Sequence, residues 1–295
     1  MNQGWIYQDR ISQAYEGWTV LNYYSQKYAH STQEEWAQKL VDGQIFLNRL
    51  LAQAETKLVC GDRLAYHRPP WEEPEVPLDF ETLYADQDLL VIIKPSGMPV
   101  QPGGGFLEHT LLGQLHRLFP EETPVPVHRL GRGTSGLMLL AISSKAKADL
   151  SRQLRKRLIR KVYRTLVDGN TMPDEFTIEQ PIGKIEHPKL GYLYAATPNG
   201  LVSRSDCRVL RRNTETSLLE VDIHSGRPHQ IRIHLAAAGY PLFEDPLYGI
   251  GGVPKNHDSV PGDLGYHLHA TTLGFLHPST KLWMEFSSTP PPELV

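Results

Sequence analysis

His128-Arg-Leu-Gly-Arg-Gly-Thr-Ser-Gly-Leu-Met-Leu-Leu-Ala141 constrains this chain most, because a glycine-rich turn runs directly into an apolar segment. Gly131, Gly133 and Gly136 spell the GxGxxG of dinucleotide-binding loops, yet such a loop must open a helix whose amino end receives a pyrophosphate. Leu137-Met-Leu-Leu-Ala-Ile142 reads instead as a buried strand. Arg152, about 20 residues beyond Gly131, stands where a ribose-binding acid is needed. A phosphate-binding P-loop fails because Leu137 replaces its lysine, and a serine-hydrolase elbow on Ser135 fails because residue 137 is not glycine.

A chain of 295 residues is long enough for one large domain plus a small one. No basic segment leads into an apolar core at Met1–Arg10, and no run is apolar for long enough to cross a bilayer. A soluble cytoplasmic protein is expected. Cys60 and Cys207 fall in different domains and read as small buried hydrophobes, which excludes a disulfide framework or a four-cysteine zinc site. His267 and His269 share one side of a strand but lack a partnered carboxylate or cysteine, so no metal is expected.

The net charge of −3 conceals an asymmetry. Lys145, Lys147, Arg152, Arg155, Lys156, Arg157, Arg160, Lys161 and Arg164 lie in one stretch with only Asp149 of opposite sign. Such a face binds nucleic-acid phosphates whatever the average charge, although on charge alone it is equally a solvated helix face.

Residues 69–81 are rich in proline and acid and read as an extended connector between a head, residues 1–68, and a body, residues 82–295. In the head, Ser31 and Glu34 form a capping box for a helix through Trp36, Ala37, Leu40 and Val41. Asp42-Gly43 turns into a strand at Gln44–Asn48, and a second strand around Leu58-Val59 and Arg63–Tyr66 is interrupted at Gly61-Asp62. In the body, Leu83–Lys94 reads as a buried strand. Ser144 caps a helix whose Ala146, Leu150, Leu154 and Leu158 share a face. Strands follow at Lys161–Val167 and before Gly226, then a helix start near Gln230, and a final strand pair ends near Phe286. Strands outnumber helices and seldom alternate with them, which favours α+β with a largely antiparallel sheet.

Five motifs occur in order: Lys94-Pro95; His128-Arg129-Leu130 with Thr134-Ser135-Gly136; Lys161-x-Tyr163; Gly226-Arg227-x-His229-Gln230-Ile231-Arg232; and Asp245-Pro246-Leu247-Tyr248-Gly249. Together they resemble the RluA-type RNA pseudouridine synthases over about residues 83 to 286. The head is similar, over roughly residues 16 to 68, to the S-four-type RNA-binding module of ribosomal proteins.

The resemblance implies the mixed, largely antiparallel sheet of that family with flanking helices, and isomerisation of a flipped uridine in ribosomal or transfer RNA without metal or organic cofactor. It implies a monomer whose partner is an RNA stem-loop rather than DNA or a membrane. Tyr163 matches the tyrosine that packs on the flipped uracil, and Arg232 the arginine that pairs with the catalytic carboxylate. Arg129 matches an RNA contact near the flipped nucleotide, with Lys94, Arg227 and His229 as supporting contacts, and Arg155, Lys156 and Arg157 supply the basic face. The bland reading of Tyr163 is a packed aromatic, of Arg232 a bridge between loops, and of His234 a satisfied buried imidazole. Where the family has its catalytic aspartate, this chain has Gly131. Glycine supplies no nucleophile or base and leaves Arg232 without its carboxylate, so Asp168, Asp206, Asp222 and Asp245 are the partners to test. The alternative function is RNA binding on a synthase scaffold without catalysis.

Overall fold

The computed structural model describes residues 1–28, 30–188, 190–255 and 259–295. The chain divides into two compact units, residues 1–73 with 187–191 and residues 74–186 with 192–295.

The first unit holds strand β1 (Trp5–Arg10), helices α1 (Val20–Lys27) and α2 (Gln33–Val41), and strands β2 (Ile45–Leu47), β3 (Leu50–Leu51) and β4 (Arg63–Arg68). The strands form an antiparallel sheet ordered β1-β4-β2-β3. Trp36, Tyr23, Ile45, Leu58 and Leu64 make its core. The capping box sits one residue later than expected: Thr32 accepts from the Glu35 amide at 3.2 Å, and Glu35 accepts from the Thr32 amide at 2.8 Å. Leu58-Val59 is not a strand, and Cys60 is exposed whereas Cys207 is buried.

The second unit begins with β5 (Glu81–Ala85) and β6 (Leu89–Lys94), so the expected single strand is a hairpin turned at Asp86, whose carboxylate accepts from the amides of Asp88 and Leu89. Then come α3 (Leu111–Leu118), β7 (Val125–Pro126), β8 (Ser135–Ala141), α4 (Ser144–Arg155), β9 (Arg160–Asp168), β10 (Glu175–Ile178), β11 (Ile182–His187), β12 (Gly191–Ala196), β13 (Ser205–Arg212) and β14 (Thr216–Ile223). Helix α5 (Gln230–Ala237), the short strands β15 (Tyr248–Gly249) and β16 (Val253–Pro254), β17 (Leu268–Leu276) and β18 (Trp283–Ser287) complete it.

The main sheet runs β10-β13-β14-β9-β17-β8-β6-β5, with β18 on β17 and β7 on β8. It is mixed but mostly antiparallel, and β8 with β17 is its parallel contact. Gly136 is required there. Its φ is +106°, and a Cβ would lie 2.4 Å from the Ala270 carbonyl oxygen. The N-cap of α4 is Ser143, not Ser144, and the helix stops at Arg155. Leu158 therefore leaves the buried face and is exposed, while Ala146, Leu150 and Gln153 are buried. Among the described residues no helix is long and apolar enough to cross a membrane.

Candidate active site

Strand β9 lies inside the main sheet, paired with β14 on one side and β17 on the other. Lys161 and Tyr163, two residues apart, share one face of it. Three further segments meet over that face: the loop before β8, the turn from β14 into α5, and the approach to β17 at Tyr266. They enclose a cleft of about 720 Å³.

Of the residues expected from the sequence, Arg129, Gly131, Arg155, Arg157, Tyr163, Arg227, His229 and Arg232 all line this cleft. Arg129, Arg155 and Arg157 are exposed at its rim. Lys156 caps the end of α4 and is exposed outside the lining. Lys94 corrects the expectation of an RNA contact. Its side chain is fully buried, and Nζ donates to the carbonyls of Pro95, Met98 and Arg132 at 2.7, 2.8 and 3.3 Å. Burial and the charge of Arg132 pull its pKa down to about 7, while three carbonyl acceptors match the three protons of an ammonium. Lys94 ties the turn after β6 to the glycine loop.

Asp245 answers Arg232. The guanidinium donates through Nε to Oδ2 and through Nη2 to Oδ1, both at 2.7 Å, and the two side chains are 3% and 0% exposed. Oδ1 also accepts from the amides of Leu247 and Tyr248. Burial pushes the Asp245 carboxyl up, but the hydrogen bonds and charge of Arg232 outweigh it and hold the pKa below the ordinary value. The guanidinium carbon also sits 4.1 Å from the ring centre of Tyr266 and 5.1 Å from that of Tyr248. Arg232 is thus neutralised behind the cleft wall, not by a group that reaches into the cleft.

At Gly131 the vacated space belongs to Tyr266. A Cβ there would stand 3.0 Å from the Tyr266 hydroxyl and 3.3 Å from Thr134 Oγ1. At Gly133 it would meet the ring itself, 3.0 Å from Cζ. Both glycines lie outside the left-handed region, so they supply room for the phenol and not an unusual backbone conformation. Among the described lining residues none is a carboxylate.

The histidines of the motifs are held neutral. His128 Nε2 accepts from the Leu139 amide at 3.2 Å, and burial followed by the charge of Lys161 lowers its pKa to about 3. His229 occupies the left-handed region, φ 55°, at the start of α5. Tyr248 donates its hydroxyl proton to the Tyr194 carbonyl, so His229 Nδ1 donates to the Tyr248 oxygen at 2.8 Å and keeps Nε2 unprotonated. Burial, then Arg232, lowers the His229 pKa to about 3. Tyr163 is buried, burial raises its pKa, and among the described residues its hydroxyl has no hydrogen-bond partner.

Residues 88–237 match the family of RNA pseudouridylate synthases. The chain belongs to that family. It is 48% identical to an uncharacterized RNA pseudouridine synthase of Synechocystis sp. over 94% of this chain and 95% of that protein. It is 40% identical to RNA pseudouridine synthase 5 of Arabidopsis thaliana, covering 92% and 88%, and 32% identical to ribosomal large subunit pseudouridine synthase D of Vibrio parahaemolyticus, covering 91% and 85%. The solved structure of human RNA pseudouridylate synthase domain containing 1 has the same fold: TM-score 0.56, 24% identity, covering 76% of this chain and 89% of that one.

Lys161 and Tyr266 also line the cleft. Lys161 was visible in the Lys-x-Tyr motif, but its burial in the cleft was not. Tyr266 carries no local signal, since only the fold brings it to a loop more than a hundred residues earlier. Among the described residues no group of His, Cys, Asp or Glu is placed to hold a metal ion.

Proposed function

We propose that this synthase-family chain takes a flipped uridine of structured RNA into the cleft and isomerises it to pseudouridine without a carboxylate at residue 131. The carrying observation is the lining: a buried tyrosine ring, rim arginines at 129, 155 and 157, and no acid among the described residues. An aromatic face receives an unstacked base, and the arginines meet the flanking phosphates. The head contributes further RNA contact in this reading. Ribosomal RNA is the first substrate to assay, given the relative named for the ribosomal large subunit.

The closure of Arg232 on Asp245 favours a second reading, an RNA-binding protein on the same scaffold. Tritium release from RNA labelled at uracil carbon 5, isolated from cells lacking the gene, separates the two. Turnover by the wild-type chain is expected. Saturated RNA binding without release overturns the isomerase reading and leaves the binder.

A further inference from the structure

Among the described residues the other buried Lys and Arg side chains are answered. Arg232 has Asp245, and Lys94 has three carbonyl oxygens. Lys161 is the exception: it is 8% exposed, lines the cleft, and has no acceptor for Nζ among the described residues. His128 cannot serve, because its Nε2 lone pair already takes the Leu139 amide. Nζ lies against Gly226, where a Cβ would stand in ordinary contact at 3.4 Å. Burial lowers the Lys161 pKa, and the charge of Asp222 opposes this. The Lys161 ammonium thus faces the cleft, beside the surface where a base would stack.

Lys161 and Tyr163 project from the same face of β9, separated by roughly 7 Å along the strand. A pyrimidine lying on the Tyr163 ring has its carbonyl-bearing edge within reach of a lysine so placed. Resting on the isomerase reading, we propose that Lys161 is a catalytic residue whose ammonium donates to a uracil carbonyl oxygen and holds the negative charge the base gains on leaving the ribose. The N1–C1′ bond breaks with its electron pair going to the base, and the ring oxygen supports the electron-deficient C1′. The base turns, C5 bonds to C1′, the C5 proton leaves to water and N1 takes one from water. Lys161 keeps its protons throughout, so the sum is an isomerisation.

The test is single-turnover tritium release at saturating RNA for wild type, Lys161→Met and Lys161→Arg, with the salt dependence of RNA binding measured alongside. Removing a charge-stabilising donor costs about a hundredfold in rate. That loss is expected for Lys161→Met with the salt slope unchanged, and Lys161→Arg should recover part of it. An unchanged rate with a slope reduced by about one unit overturns the proposal, because it describes a phosphate contact. A second measurement does not depend on turnover. In protein labelled with ¹⁵N-lysine, the Lys161 Nζ signal should shift with uridine 5′-monophosphate and not with ribose 5-phosphate. Equal shifts from both, or a shift from neither, overturn the base contact. Absence of turnover in wild type overturns the isomerase reading and the charge-holding step with it, and the uridylate arm then decides the base contact alone.

Discussion

The hydroxyl of Tyr266 occupies the space a side chain at Gly131 would need, since a Cβ there lies 3.0 Å from it. The ring is fixed in turn by the Arg232 guanidinium 4.1 Å away. Tyr266 and Gly131 therefore act as one packing unit, and a side chain at residue 131 requires the phenol or Thr134 to give way by a few tenths of an ångström.

Gly131→Asp is accordingly expected to lose about 1–3 kcal/mol of stability by overpacking, with no gain in tritium release. Tyr266→Phe removes the crowding oxygen. The double variant should recover most of the stability and exceed either single variant in release. Urea unfolding and the release assay check this. Gly131→Asp as stable as wild type, and more active than the double variant, would show that the phenol does not guard the position.

Much of this fold can be read from local pattern. The apolar run Leu137–Ala141 after a glycine turn is a strand, and Thr32 or Ser31 before Glu34-Glu35 announces a helix start, with the ambiguity of one residue that two adjacent hydroxyls create. The site is legible only as far as its motifs. Asp245 was one of several possible partners for Arg232, because which acid meets a guanidinium depends on how the chain returns after α5. Lys94 looked like an RNA contact because nothing in Lys94-Pro95 shows that carbonyls from two loops converge on its amine.

Arg155 and Arg157 line the cleft rim while Lys156 does not. Replacing both arginines with glutamine should reduce the slope of log affinity against log salt by roughly 0.7–0.9 for each phosphate the protein no longer neutralises. Lys156→Gln should change it less. Fluorescence anisotropy with a structured RNA at several salt concentrations reads both, and an unchanged slope in the double variant removes this rim from the RNA contact.

Tyr163 separates stacking from hydrogen bonding. Its hydroxyl has no partner among the described residues, so Tyr163→Phe should leave stability and RNA affinity near wild type. Tyr163→Leu should lose about 1–3 kcal/mol of affinity for RNA bearing the target uridine, relative to the same RNA with an abasic ribose there. Equal loss on both RNAs would make Tyr163 a core residue without a base contact.

Arg232→Met leaves the Asp245 carboxylate buried without its counter-ion and should cost about 3–5 kcal/mol in urea unfolding. Adding Asp245→Asn removes the stranded charge while the amide oxygen still accepts from Leu247 and Tyr248, so the double variant should regain much of that loss. A double variant less stable than Arg232→Met alone would mean that the carboxylate is held by something other than this arginine.

Acid should weaken the body through His234, which is wholly buried. Its ring lies between Ser205 Oγ at 2.9 Å from Nδ1 and the Gln180 carbonyl at 2.9 Å from Nε2. Nε2 donates to that carbonyl and Nδ1 accepts from Ser205, so the network fits the neutral ring and not the doubly protonated one. Burial lowers the pKa to about 4 against the opposing pull of the Gln180 carbonyl. Between an unfolded value near 6.5 and this folded value, the unfolded chain binds the extra proton, so stability is full above about pH 6.5 and falls as pH drops towards 4. At 1.36 kcal/mol per unit, His234 alone should account for about 2 kcal/mol between pH 7 and pH 5. Urea unfolding of wild type and His234→Asn at both pH values gives the comparison. The variant starts less stable, but its loss on acidification should be smaller than that of wild type by about this amount. Identical losses in the two proteins would mean that His234 carries its proton in the folded state.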